Sequence, residues 1–209
     1  MDKRVNEIIR RLKKRYPGAK TALNFSSPLE ILVATILSAQ CTDARVNAVT
    51  EKLFKKYRAA QNYVSAPAGE LEQDIRSTGF YRSKANNIMG AARKILEQFD
   101  GNVPDDMDKL LSLPGVARKT ANVVLGNAFG KVEGIVVDTH VIRLSRRLGL
   151  TVNDDPVKIE RDLMKIVPRN EWFHFAHLLQ ALGRGVCVAR SPRHGDCALK
   201  DICPSADIS

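Results

Sequence analysis

A helix–glycine–helix pattern that occurs twice constrains this chain more than any other feature. Residues 79–90 realign on residues 115–126 at a shift of 36. Gly79/Gly115, Arg82/Arg118, Ala85/Ala121, Asn86/Asn122 and Gly90/Gly126 are identical in the two copies, and Ile88 matches Val124. Each copy reads as helix, glycine turn, helix. A repeat of that kind predicts two related hairpins able to grip two places on one strand of a polyanion. Two similar corners with no shared role is the plainer alternative.

The surrounding pattern is helical as well. Periodicity and punctuation predict helices over residues 28–40, 44–57, 68–77, 82–99, 107–112, 118–129, 139–148, 156–166 and 172–182. Pro67, Gly79, the 101–104 segment and Pro114-Gly115 separate them. Val5, Ile8, Ile9, Leu12 and Tyr16 recur at helical spacing among charges, which predicts an amphipathic N-terminal helix rather than a signal peptide. The only strand-like piece is Ile135-Val136-Val137, too short for a sheet. From Gly183 the chain turns loop-rich. The longest apolar run, residues 31–37, falls far short of the roughly 20 residues a spanning helix needs. The formal net charge of +10 points to a polyanionic partner, nucleic acid before an anionic membrane, although a basic surface alone has the same charge.

The second copy carries chemistry. In Leu113-Pro114-Gly115-Val116-Ala117 the proline fixes one φ angle and the glycine permits a turn that other residues resist. The next helix then aims its free N–H groups and positive dipole end forward, a ready seat for phosphate. Lys119 falls in that first helical turn. A lysine attacks a sugar carbon only as the neutral amine, and the helix end and Arg118 both disfavour a further positive charge there. As one of 33 basic residues, Lys119 reads by default as a phosphate ligand. Asp138, 19 residues on and just before Thr139-His140, is a credible N-cap for the next helix.

Three of the four cysteines, Cys187, Cys197 and Cys203, lie within the last 23 residues. With no secretion signal in view, that clustering predicts metal binding before disulfides. Cys41, in an apolar helix, reads as a packing residue. His174 and His177 stand three apart on a helix, but without acidic or cysteine neighbours they read as packing groups.

Leu113-Pro114-Gly115-Val116-Ala117-Arg118-Lys119-Thr120-Ala121-Asn122, followed by Val137-Asp138-Thr139-His140, resembles the endonuclease III family of helix-hairpin-helix DNA glycosylases. The resemblance runs nearly end to end, from Leu37-Ser38-Ala39-Gln40-Cys41-Thr42-Asp43 through the hairpin to Gly183-Arg184 and the cysteine region. It implies an all-α, two-lobed fold: residues 22–132 form a bundle carrying the hairpins, and residues 1–21 join 133–209 around a metal loop. DNA then lies across the cleft between the lobes.

The resemblance also implies a bifunctional enzyme that excises oxidised pyrimidines and nicks the strand by β-elimination. Lys119 matches the family's nucleophile and Asp138 its catalytic aspartate. Gln40 matches the residue that fills the hole left by the flipped nucleotide. Phe80 matches a wedge position where leucine is common. Leu113, Gly115, Ala117, Arg118 and Thr120 form the phosphate-gripping turn, and Asp43 and His140 lie near the damaged nucleotide. Ala117 stands where glycine is common, which strains the turn only if that position needs a positive φ.

The family's C-x6-C-x2-C-x5-C motif holds a [4Fe-4S] cluster. Here it reads Cys187, His194, Cys197, Cys203, with spacing intact and histidine in the second place. A cluster is the expectation, with a Cys3His zinc site or an empty site as alternatives. Either metal would be structural and would hold Arg190 and Arg193 toward phosphate. The expected partner is damaged or abasic double-stranded DNA, met by a monomer at the bacterial nucleoid. Two rivals stay open: a monofunctional mismatch glycosylase, in which Lys119 is dispensable, and a hairpin binding module that cuts nothing.

Overall fold

The computed structural model describes residues 3–67 and 69–206. Its helices, in chain order, are α1 (Lys3–Arg15), α2 (Pro28–Leu37), α3 (Asp43–Lys56), α4 (Ala60–Val64), α5 (Glu70–Asp74) and α6 (Tyr81–Gln98). They continue with α7 (Met107–Leu111), α8 (Arg118–Phe129), α9 (Thr139–Arg147), α10 (Pro156–Ile166) and α11 (Trp172–Gly185). Short 3-10 turns occur at Arg76–Thr78, Arg169–Glu171 and His194–Asp196. Among the described residues there is no strand, and Ile135, Val136 and Val137 are buried in an irregular approach to α9. The fold is all-α. The chain forms two compact units, Thr21–Glu133 on one hand and Met1–Lys20 with Gly134–Ser209 on the other.

The 21–133 unit is built around α2. That helix starts where Ser27 Oγ accepts from Glu30 N, with Pro28 pre-set at the first helical position. Every residue from Ile31 to Leu37 is buried, so α2 is wrapped on all sides rather than amphipathic. It packs on α8, α3 and α6, while α4 and α5 back α6 and α7 packs on α8. Each fully buried leucine or isoleucine in this core, such as Ile31, Leu37, Ile95 and Leu110, contributes roughly 2 kcal/mol relative to exposure. The helix expected over 28–40 ends at Leu37, because Ser38 caps it and Gln40 takes a left-handed conformation. The helix expected over 68–77 is broken into α5 and the Arg76–Thr78 turn, and its first residue, Ala68, lies outside the described residues.

In the other unit, α1 buries the stripe Val5, Ile8, Ile9 and Leu12 expected from its spacing. It packs on α11, which in turn packs on α9. Trp172 Nε1 donates to Val167 O at 2.9 Å and fixes the start of α11. His177 is buried and meets Phe173 edge-to-face at 4.8 Å. Its Nδ1 lies 3.3 Å from Gln180 Oε1, so its surroundings are those of a packed, hydrogen-bonded side chain. No helix is long and apolar enough to cross a membrane among the described residues.

Candidate DNA-binding site and metal loop

In the 21–133 unit, the turn before α8 is tight because Gly115 takes φ +76°. A Cβ there would stand 2.7 Å from Asn87 Cβ on α6, so glycine is required by both conformation and space. Leu113 is buried beneath the turn and anchors it. Ala117 is the N-cap of α8 in extended backbone, φ −91° and ψ 171°, so the alanine found where glycine is common causes no strain. It supplies no capping side chain, and neither acidic residues nor a polar cap occupy the first turn of α8. Arg118 and Thr120 are half-exposed and Lys119 is exposed in that turn. The helix start therefore presents backbone donors and positive charge together, the combination that binds phosphate.

Two further predicted residues occupy the same unit. Gln40, three residues past α2, has φ 52°, and Phe80, the residue before α6, has φ 49°. Both are non-glycine residues in the left-handed region, a few per cent of cases in general. Phe80 is 64% exposed, an unusual position for an aromatic side chain that has a core nearby. Gln40, Phe80, Gly115 and Thr120 line one cavity, together with Lys84 and Asn87. Asp43 sits in the first turn of α3, capped by Thr42 Oγ1 accepting from Arg45 N.

In the other unit, Asp138 is the N-cap of α9, its Oδ1 accepting from Val141 N at 2.9 Å. Capping engages one carboxylate oxygen and leaves Oδ2 for other work. Arg143, one turn along, donates through one nitrogen to Gly183 O at 3.1 Å and to Cys187 O at 3.0 Å. The same nitrogen lies 3.3 Å from His140 Nδ1. A methyl group on Gly183 would stand 2.8 Å from that His140 Nδ1, which explains glycine in the last turn of α11. Arg143 was not singled out from the sequence. Its role depends on carbonyls 40 and 44 residues away, which no local pattern reveals.

The four expected metal ligands come together in this unit. Cys187, His194, Cys197 and Cys203 line one cavity, backed by Leu144, Leu148, Leu182 and Val186. Among the described residues no three such donors stand close enough together to form a metal site. His194 Nδ1 lies 2.9 Å from the carbonyl of Ala206, which accepts from it. Arg147 Nη1 donates to Cys187 Sγ at 3.3 Å and to Val188 O at 2.8 Å. The carbonyl of Arg147 accepts from Ser205 Oγ at 2.8 Å and from Cys203 Sγ at 3.6 Å. The shared cavity lining and the donor types are those a metal group would use. Arg190 and Arg193 are both exposed, and Arg193 donates to Gly185 O at the end of α11 at 2.6 Å and to Asp196 at 3.2 Å.

Comparison with known proteins agrees with this arrangement. Residues 33–169 match the family described as HhH-GPD superfamily base excision DNA repair protein, and residues 187–203 match the iron-sulfur binding domain of endonuclease III. The chain is 56% identical to endonuclease III of Synechocystis sp. over 206 residues, covering 99% of this chain and 94% of that protein. It is 46% identical to the Bacillus subtilis endonuclease III, covering 96% and 92%. A solved structure of a trapped endonuclease III–DNA covalent intermediate superimposes with a TM-score of 0.93 at 45% identity, covering 99% and 98%. A thermostable thymine-DNA glycosylase shares the fold at a TM-score of 0.88 and 22% identity. With the family match covering more than half of its length, and with relatives aligned nearly end to end, the chain belongs to the endonuclease III family of helix-hairpin-helix base excision DNA repair glycosylases, and it carries that family's iron-sulfur binding domain.

Proposed function

We propose that this protein removes oxidised pyrimidines from double-stranded DNA and cleaves the strand 3′ to the abasic site, with Lys119 as nucleophile and Asp138 as its carboxylate partner. One observation carries the reading: an uncapped, cationic helix start behind a glycine turn, with Lys119 exposed in its first turn. A pure binding module needs the turn but not an amine at that position.

The chemistry follows from the groups. The neutral amine of Lys119 adds to C1′ as the bond to the damaged base breaks, and the base departs with a proton. A carboxylate stabilises the positive charge that develops on the sugar, the part assigned to Asp138 Oδ2. Ring opening gives a protonated Schiff base. Loss of a C2′ proton then expels the 3′ phosphate oxygen, and water hydrolyses the imine and returns the amine. The damaged nucleotide must leave the stack first. Gln40 is assigned the vacated space and Phe80 the wedge between bases of the opposite strand. Leu113, Gly115, Ala117, Arg118 and Thr120 hold phosphate, and His140, Arg190 and Arg193 add contacts.

Cys187, His194, Cys197 and Cys203 would hold a [4Fe-4S] cluster, His194 through Nε2. Such a group, when bound, supplies a rigid cross-link of the C-terminal loop. Iron with acid-labile sulfide and a broad visible absorption band supports this assignment, whereas a colourless protein holding only zinc refutes it. The protein is proposed to act as a monomer on the bacterial nucleoid.

Borohydride trapping tests the mechanism on two duplexes, one with an abasic site and one with thymine glycol. Wild type forms a covalent band on both and Lys119→Ala on neither. A band on the abasic duplex alone removes the oxidised-pyrimidine assignment. No band on either, with salt-sensitive binding retained, makes the protein a binding module.

A further inference from the structure

Lys84 is buried, 4% exposed, in the first turn of α6. Its ammonium donates to Leu37 O at 2.8 Å and to Thr78 O at 2.8 Å. Those two carbonyls close two different elements. Leu37 is the last residue of α2, and Thr78 is the last residue of the Arg76–Thr78 turn. Gln40 follows the first by three residues and Phe80 follows the second by two. Each of these tips is held at a positive φ. One cation therefore ties together the roots of the two segments that carry Gln40 and Phe80.

Placement in the repeat sharpens the point. In the 36-residue register Lys119 falls on Ser83, and Lys84 falls on Thr120. The lysine of the first hairpin is thus displaced by one position, about 100° around a helix. The displacement turns it from the exposed face, where Lys119 lies, into the interior. Burial pushes the Lys84 ammonium below the ordinary lysine range, and Cys41 pulls the other way. A buried charge met by carbonyls is costly compared with an apolar side chain of equal length. Two carbonyls at element ends, each carrying partial negative charge, meet the ammonium here at 2.8 Å each.

We propose that Lys84 is a positioning residue that fastens the Gln40 turn to the Phe80 turn, so that both enter the duplex as one unit during base extrusion. The proposal rests on the assignment of Gln40 and Phe80 to duplex invasion. Both residues line the same cavity as Lys84, so loosening Lys84 acts on the pair rather than on either alone. Lys119, in the first turn of α8, does not line that cavity, and neither carbonyl that Lys84 holds belongs to α8 or to the turn before it.

The test compares two substrates with Lys84→Met, which keeps length and loses charge. Excision of thymine glycol from duplex requires base extrusion. Cleavage of a single-stranded abasic oligonucleotide requires Lys119 but no extrusion. Duplex excision under single-turnover conditions falls about tenfold or more, the loss expected for a hydrogen bond to a charged group. Single-stranded cleavage stays within about twofold, since it depends on none of the extrusion contacts. A 2-aminopurine beside the lesion loses its fluorescence rise on enzyme binding. Phe80→Ala combined with Lys84→Met falls less than the product of the two single effects. Equal falls on both substrates, no fall on duplex, or fully multiplicative effects overturn the proposal. Lys84→Gln, neutral but still able to donate to one carbonyl, serves if the methionine variant does not fold. Failure of both variants to fold also overturns it, by making Lys84 a core residue only. Absence of wild-type trapping would instead strike at the proposed function, which keeps the two failures distinct.

Discussion

At the scale of single residues, the hairpin turn separates two positions that sequence reasoning alone cannot rank. Gly115 and Ala117 are two residues apart, and both are places where glycine is expected. Only Gly115 has a positive φ, and only there would a Cβ collide, at 2.7 Å from Asn87 Cβ. Gly115→Ala is therefore expected to cost about 1–3 kcal/mol through strain and overpacking, and to weaken duplex binding by distorting the phosphate seat. Ala117→Gly relaxes nothing, since φ −91° suits alanine, and costs at most about 1 kcal/mol through added freedom of the unfolded chain. Urea unfolding and duplex titration of both variants check this. A larger penalty for Ala117→Gly than for Gly115→Ala would show that the turn is read wrongly.

At the scale of elements, helix starts decide where the chemistry sits. Asp138 is the N-cap of α9, and asparagine caps about as well as aspartate while carrying no charge. Asp138→Asn should therefore melt close to wild type yet lose most of its excision rate. Asp138→Ala should lose that rate and also about 1 kcal/mol of stability. Thermal melts with single-turnover kinetics on both variants separate the two jobs. An asparagine variant with full activity would leave Asp138 as a cap alone. The α9 cap and the turn ahead of α8 are legible in the sequence, because Asp before Thr139 and Pro114-Gly115 before Arg118 are local signals. The five-residue helix α4 was not readable, since one and a half turns carry too little periodicity, and its place is set by packing on α6. Lys84 was hidden for a different reason. Among 33 basic residues nothing local marks the one whose partners are carbonyls 47 and 6 residues away. Gln40 and Phe80 were legible only through resemblance, and the left-handed backbone at both became visible only in the fold.

At the scale of the whole molecule, the chain closes on its own beginning, and the metal loop completes that closure. Arg4 Nε donates to Ile202 O at 3.3 Å and Arg11 Nη1 donates to Ala198 O at 3.1 Å, so α1 braces the C-terminal loop. Between Cys187 and Ala206 the described chain has only one 3-10 turn, and Leu199 is its one fully buried hydrophobic residue. A segment with so little core holds its shape by cross-links. The imidazole of His194 is oriented by Ala206 O. His194→Ala should then lose iron, loosen the loop and lower the melting temperature, about 2–4 °C for each kcal/mol lost in a chain of this size. His194→Cys should keep iron and stability, because a thiolate restores the fourth donor. Chelation of wild type should reproduce the alanine variant, with proteolysis starting in the loop before the helices open. Iron and sulfide content, visible absorption and limited proteolysis read these outcomes. If His194→Ala holds as much iron as wild type and melts at the same temperature, the histidine is a hydrogen-bonded neighbour of the metal group, and three cysteines hold it alone.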